Sequence, residues 1–169
     1  SSFARRYSNR FRSGISLNEF ALQCSVLTLE NEFYTADELA RLERETRVPI
    51  VPPPQDYLHF SSKLLQRKFY QELQLPSPRW CALKTAEPPF KFPLVVKAAQ
   101  GGYDGYGVRV VETLEQWTAA LEQFGFFQGK EILIEEKVSI KKEFAQGVFL
   151  DGQGNHVFLP LVETVQENG

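Results

Sequence analysis

The chain has 169 residues, of which 43% are hydrophobic, and a formal net charge of −2 at pH 7. This composition suffices for a packed core, and the charge gives no general attraction to nucleic acid or anionic lipid. No stretch approaches the ~20 apolar residues that a membrane span needs. We therefore expect a globular protein with neither a nucleic-acid nor a membrane partner.

Two cysteines, Cys24 and Cys81, are far apart in the sequence and show no metal-ligand spacing with the two histidines. Such cysteines are typical of reduced thiols in the cytoplasm, which is the location that we expect. The chain starts with Ser1 rather than methionine and stops at Gly169, directly after a strand-like run. We therefore expect a piece of a longer protein.

The first predicted elements form one β-α step. Residues 25–29 are apolar enough for a short buried strand, and a helix is predicted over 35–45. Thr35 is the expected N-cap and Glu38 stands three residues later, which is the capping-box pattern. Residues 49–51 predict the next strand.

A run of three prolines, at 52–54, can continue neither a helix nor a central strand, and we place a domain boundary there. Beyond it, apolar residues recur at helical spacing. This pattern predicts an amphipathic helix over 63–73, which ends before Pro76.

The segment from 94 to 111 predicts a strand, a glycine-rich loop and a second strand. Four glycines in seven residues allow positive φ angles and bring backbone N–H groups close to an anion. The loop consists of Gly101, Gly102, Tyr103, Asp104, Gly105, Tyr106 and Gly107. The next run alternates as a strand and does not open a helix, which disfavours a P-loop and a Rossmann fingerprint. A hairpin without a ligand is the alternative interpretation.

Charged residues end two of the apolar strands. The strand before the glycine loop ends on Lys97, and the strand predicted over 131–136 also ends on charged residues. Between them a helix is predicted over 115–124, with Thr113 as its cap. An ammonium at the end of an apolar strand is unusual unless it snorkels or meets an anion. Glu143 offers a carboxylate for hydroxyl groups such as those of a ribose. A solvated edge is the alternative for these charges.

Strands predicted over 144–150 and 156–162 flank Asp-Gly-Gln-Gly at 151–154, which is a strong hairpin signal. The sequence contains no internal repeat and no low-complexity segment.

Six segments carry a family resemblance. They are Leu-Thr-Leu-Glu-Asn-Glu-Phe at 27–33, Leu-Val-Val-Lys at 94–97, Gly-Gly-Tyr-Asp-Gly-Tyr-Gly at 101–107, Glu-Glu-Lys-Val at 135–138, Glu143, and Val-Phe-Leu-Pro-Leu-Val-Glu-Thr-Val-Gln at 157–166. In this order and spacing they resemble the N5-carboxyaminoimidazole ribonucleotide synthetases of purine biosynthesis, which are ATP-grasp ligases.

The resemblance implies a mixed α/β (α+β) fold that is part of an ATP-grasp protein. Residues 1–54 would form the end of a Rossmann-like pre-ATP-grasp domain, and 55–169 a truncated ATP-grasp domain. Within the latter, about 78–134 would be the lid subdomain and 135–169 the start of the large subdomain.

The implied reaction joins ATP and bicarbonate into carboxyphosphate, whose carboxyl group then passes to the amine of aminoimidazole ribonucleotide. Mg2+ would neutralise charge on the transferred phosphoryl group. The expected substrates are therefore ATP, bicarbonate and aminoimidazole ribonucleotide. A homodimer is a possible assembly, because exposed apolar surface could drive association.

The resemblance also implies a nucleotide site. Lys63 and Lys97 would contact the phosphates or the adenine edge, and the glycine loop would fold over the β and γ phosphates. The hinge strand, in which Lys137 and Val138 present backbone groups to adenine, would consist of Glu135, Glu136, Lys137 and Val138. Glu143 would accept the ribose hydroxyls, and Gln166 would make a weaker nucleotide contact.

Four residues are implied to face aminoimidazole ribonucleotide: Glu30, Glu32, Tyr103 and Asp104. Two positions depart from the family pattern, since Lys63 is often arginine and Gln166 is often histidine. The metal-ligating Glu and Asn of the family are not among the 169 residues. We therefore assign no metal ligand and no catalytic residue, and we expect the isolated chain to be inactive.

Two other functions fit the sequence less well. One is a different ATP-grasp ligase, such as a formate-dependent glycinamide ribonucleotide transformylase, which the Gly-Tyr-Asp-Gly loop disfavours. The other is a noncatalytic nucleotide-binding module.

Overall fold

A computed structural model describes residues 15–30, 34–100 and 107–165 of the chain. The chain divides into two compact units, of which one ends at Glu136 and the other begins at Lys137. Helices and strands both occur, as the sequence predicts. The residues on both sides of the proline run belong to the first unit, and the domain boundary placed at that run stays a prediction.

The first unit opens with α1 (Leu17–Ala21) and α2 (Ala36–Thr46). The predicted capping box at α2 is confirmed, because Glu38 N–H donates to Thr35 Oγ1 and Thr35 N–H donates back to the Glu38 carboxylate. An equivalent box starts α1. The two helices pack over a core that includes Phe20, Leu39 and Leu42.

The two strands predicted over 25–29 and 49–51 were wrong in extent. Only one parallel bridge joins them, between Leu27 and Ile50. Leu27 N–H donates to Pro49 O at 2.9 Å and Val51 N–H donates to Leu27 O at 2.8 Å. In this register the next N–H toward the first strand would come from position 53, which is also a proline, so the ladder cannot continue in that direction.

A 3-10 turn at Pro54–Asp56 leads to α3 (Tyr57–Phe60) and α4 (Lys63–Glu72). The helix predicted over 63–73 is thus confirmed. The first residue of α4 is tied to the sheet described next, because Lys63 N–H donates to Ala99 O at 2.8 Å.

A four-stranded antiparallel sheet and one further helix complete the first unit. Its strands are β1 (Trp80–Ala82), β2 (Leu94–Ala98), β3 (Val108–Val111) and β4 (Ile132–Glu136), in the spatial order β1-β4-β2-β3. The predicted pairing around the glycine loop is confirmed, since β2 and β3 are antiparallel neighbours. Strand β1 was not predicted.

Helix α5 (Leu114–Gln123) follows β3 and starts at the predicted cap, Thr113. It packs against one face of the sheet, with Trp117 and Leu121 almost fully buried against Val96 and Ile134. The Trp117 indole N–H donates to Ala86 O at 2.8 Å, which fixes the loop before β2.

The second unit consists of two strand pairs. In these, β5 (Glu143–Ala145) pairs with β8 (Val162–Thr164), and β6 (Val148–Leu150) pairs with β7 (His156–Phe158). The predicted hairpin is confirmed. Its turn is held by the Asp151 carboxylate, which accepts from Gln153 N–H at 2.8 Å and Asn155 N–H at 2.9 Å, and Gly154 has φ 86°.

The predicted strands over 144–150 and 156–162 were too long, because each is divided in two. The break in the second lies at Leu159–Leu161, where Pro160 lacks the N–H that a ladder needs. Across from it, Leu159 N–H donates to Gly147 O at 2.9 Å. Throughout the described ranges, the helices are too short and too polar to cross a membrane.

Candidate functional site

One face of the four-stranded sheet carries charged residues among apolar ones, and we call it the lysine face. Side chains alternate between faces along a strand, and directly paired residues share a face. Register places two rows here: Trp80, Glu135, Val95 and Val110, then Ala82, Leu133, Lys97 and Val108. The opposite face holds the core beneath α5.

Helix α4 covers the part of the lysine face formed by β1 and β4. Leu64 packs there with Ala99 and Leu133, and the partly buried Trp80 and Ala82 join this cluster. The covered half therefore provides the structural support for the charged residues beside it.

A three-residue charge cluster lies where α4, β2 and β4 meet. The Glu135 side chain is 3% exposed and accepts from both cations, Arg67 through its Nε on one oxygen and Lys97 through its Nζ on the other. The Lys97–Glu135 distance is 2.6 Å. Two cations and one carboxylate leave a net positive charge in a largely buried place.

The surroundings of Glu135 act on its pKa in two directions. Burial alone would raise the pKa, but the hydrogen bonds and charges of Arg67 and Lys97 outweigh burial and hold it below the ordinary value of 4.5. The carboxylate is therefore ionised at neutral pH, which the two cations require, since a buried unpaired charge is strongly unfavourable.

The half of the lysine face formed by β2 and β3 is open. Val108 and Val110 are 42% and 43% exposed, and Val95 beside them is half-buried. We call these three valines the valine strip. A flat apolar strip next to a partly buried ammonium can hold a planar ring on one side and an anionic group on the other.

The structure brings some of the predicted site residues together. Lys97 and Glu135 are in contact, and Lys63 stands at the start of the helix that carries Arg67. Gly107 is buried, and its carbonyl accepts from Ala98 N–H at 2.9 Å. Lys97 was expected to meet an anion, and in this structure that anion is the carboxylate of Glu135.

Other predicted residues lie elsewhere or outside the described ranges. Glu136 pairs with Arg79 at 3.5 Å, while Glu30 is exposed and lies between α1 and α2 in the first unit. In the second unit, Lys137, Val138 and Glu143 are exposed, Glu143 pairing with Thr164 across β5 and β8. Outside the described residues are Glu32, Gly101, Gly102, Tyr103, Asp104, Gly105, Tyr106 and Gln166.

Sequence reasoning missed Arg67 and the valine strip. Arg67 follows Lys63 by four residues, so both lie on one side of α4, and this spacing was the available signal. In the sequence the three valines look like ordinary strand residues. Their shared exposed face becomes visible only from the pairing of β3 with β2.

Metal-binding side chains are not grouped in the part of the chain that the structure describes. Within residues 15–30, 34–100 and 107–165, no three or more His, Cys, Asp and Glu residues lie close enough together to hold a metal ion. The described residues therefore do not fit a Mg2+ site of their own.

Comparison with known proteins identifies the fold. The N5-carboxyaminoimidazole ribonucleotide synthase of Synechococcus elongatus is 34% identical over 156 residues, which span 89% of this chain and 38% of that protein. The Staphylococcus aureus synthetase complexed with ADP superposes with a TM-score of 0.78 at 22% identity, over 90% of this chain and 41% of its own. The Aspergillus clavatus synthase, in complex with ADP and 5-aminoimidazole ribonucleotide, gives 0.72 at 22% identity, over 90% and 40%.

The chain thus spans about two fifths of the length of these relatives. A family model for the ATP-grasp domain matches residues 68–169, which include α5, the strands β1 to β8, Lys97 and Glu135, whereas Lys63 and Arg67 on α4 precede this range. Because this match extends over more than half of the chain, the protein belongs to the ATP-grasp family.

Proposed function

We propose that this chain supplies an adenine-nucleotide site to an ATP-dependent carboxylating ligase. The observation that carries the proposal is the charge cluster of Arg67, Lys97 and Glu135 beside the open valine strip. A net positive charge suits a polyphosphate, and an exposed apolar strip suits a purine ring.

The proposed reaction forms N5-carboxyaminoimidazole ribonucleotide, the compound for which the Synechococcus relative is named. A bicarbonate oxygen attacks the γ-phosphorus of ATP, the bond to ADP breaks, and carboxyphosphate forms. The amine of 5-aminoimidazole ribonucleotide then attacks the carboxyl carbon and inorganic phosphate leaves. The ADP and ribonucleotide bound to the Aspergillus clavatus protein support these ligands.

In this proposal each residue of the site that lies in the first unit and is described by the structure has a defined role. Lys97 donates to phosphate oxygens while Glu135 holds its ammonium in place, and Lys63 approaches the same ligand from α4. Gly107 and the preceding loop residues cover the β and γ phosphates. The adenine ring lies on the valine strip.

The remaining roles are carried over from the family resemblance. Lys137 and Val138 present backbone groups to adenine, Glu143 accepts the ribose hydroxyls, and Gln166 makes a further nucleotide contact. The ribonucleotide would contact Glu30, Glu32, Tyr103 and Asp104. When bound with ATP, Mg2+ would supply charge neutralisation, and we assign no residue of this chain to it. A cytoplasmic enzyme, active as a homodimer, completes the proposal.

Calorimetric titration of Mg-ATP into the chain tests the nucleotide site. We expect saturable binding to wild type and a loss of about tenfold or more in affinity for Lys97→Met, since a hydrogen bond to a charged group contributes ~1.5–3 kcal/mol. Met is a suitable replacement because Arg67 still pairs with Glu135. Circular dichroism checks that the variant is folded.

Lys142→Met is the matched control, because Lys142 is exposed and pairs only with the exposed Glu163 among the contacts described. Its affinity for Mg-ATP should equal that of wild type. Equal affinities of wild type and folded Lys97→Met would contradict the proposed site.

A further inference from the structure

Glu135 divides its two oxygens between cations from different elements. Oε1 accepts from Arg67 on α4, and Oε2 accepts from Lys97 on β2 at 2.6 Å. Arg67 thereby links the helix to the strand pair that bears the lysine.

The charges of the cluster give Arg67 an electrostatic role in addition to this link. With Arg67 present, the carboxylate is shared and the cluster keeps one positive charge beyond neutrality. Without Arg67, Lys97 and Glu135 would form a neutral pair, and the ammonium would have no excess charge to offer a ligand. A difference of one charge changes the attraction for an anionic ligand strongly here, because water screens charges poorly in a largely buried place.

We propose that Arg67 is a positioning residue for the nucleotide phosphates. It shares Glu135 with Lys97, which leaves the cluster positively charged and holds the Lys97 ammonium beside the valine strip. This inference rests on the proposed nucleotide site and adds to it a residue that touches no phosphate itself.

The test compares nucleotides that differ in phosphate content. Calorimetry measures the affinity of the chain for Mg-ATP, ADP and adenosine, in wild type, Arg67→Met and Arg67→Lys. For Arg67→Met we expect about tenfold weaker binding of ATP and ADP, from the loss of one nearby charge, and less than a twofold change for adenosine. Arg67→Lys keeps the charge and should recover most of the ATP affinity.

Two further variants make the result interpretable. Arg79→Met removes an exposed arginine that pairs with the next residue of β4, Glu136, and should bind ATP like wild type. Arg67→Gln keeps a hydrogen-bond donor without charge, and it replaces Arg67→Met if that variant does not fold. It should bind ATP as weakly as Arg67→Met.

Each outcome decides between the claims. If wild type binds ATP and a folded neutral variant at position 67 binds equally well, the role of Arg67 is overturned while the nucleotide site stands. Equal weakening of adenosine and ATP would also overturn it, since a general loss of structure would then be the cause. Absence of ATP binding to wild type would reject the proposed site, and the inference with it.

Discussion

At the scale of single residues, Glu135 combines almost complete burial with two charged partners. Buried ion pairs stabilise a fold only modestly in net terms, but removing one partner leaves the other charges uncompensated. Arg67 and Lys97 keep some contact with solvent, which reduces this effect. We therefore expect Glu135→Gln to destabilise the first unit by about 2 kcal/mol, as judged by urea unfolding at pH 7.

The pH dependence of this effect follows from the direction of the pKa shift. Because the pKa of Glu135 in the folded state lies below its ordinary value of 4.5, its contribution is present above that pH and is lost as the pH falls through the folded-state pKa. The stability difference between wild type and Glu135→Gln should therefore be constant from pH 7 to about 5.5 and shrink below pH 4.5. A difference that stays constant down to pH 3 would contradict this account.

At the scale of elements, α5 holds the sheet through one buried side. Leu121 is almost fully buried in the core, whereas Leu114 on the same helix is 61% exposed. Leu121→Ala removes packed methyl groups and should lower the free energy of unfolding by about 3 kcal/mol. Leu114→Ala is the matched control and should change it by less than about 0.5 kcal/mol. Similar losses in the two variants would show that α5 does not pack as described.

Helices were more predictable from the sequence than strand extents. Thr35, Thr113 and the spacing of apolar residues in α4 are local signals, and all three helices begin at or next to the predicted residue. The length of a strand depends on the backbone hydrogen-bond donors and acceptors of a partner that is distant in the sequence. The bridge at Leu27 stops because Pro53 lacks the next N–H of the ladder, and β1 exists only because β4 lies beside it.

The site was predictable in part for the same reason. Lys97 and Glu135 stood out as charges within apolar strands, and the structure brings them into contact. The contribution of Arg67 depends on how α4 packs over β4, and the openness of Val108 and Val110 depends on the edge position of β3. Neither is a property of neighbouring residues in the sequence.

At the scale of the whole molecule, the second unit differs from the first in having no buried residue among those described. Phe149 and Phe158 are 66% and 60% exposed, and they lie on opposite faces of the β6–β7 pair. An isolated two-stranded hairpin is marginally stable, and large exposed apolar patches favour association.

The isolated chain should therefore bind a hydrophobic dye such as ANS and associate as its concentration rises. Replacing Phe149 and Phe158 together by serine should reduce both effects, measured by fluorescence and sedimentation velocity, with little change in circular dichroism. Leu114→Ser serves as control, because it removes one exposed side chain from α5 in the first unit. Unchanged dye binding in the double variant would place the responsible surface elsewhere.

The strand order β1-β4-β2-β3 sets a sequence of events for folding. The β2–β3 pair is local and can form early, whereas the partner of β1 in the described sheet is β4, which follows it by about fifty residues in the chain. Until β4 has been synthesised and inserts between β1 and β2, strand β1 has no partner in this sheet. The Arg67 and Lys97 side chains likewise lack the Glu135 carboxylate until then. We therefore expect the arrival of Glu135 both to complete the sheet and to neutralise one of the two cations, so that the charge cluster forms late in the folding of this sheet.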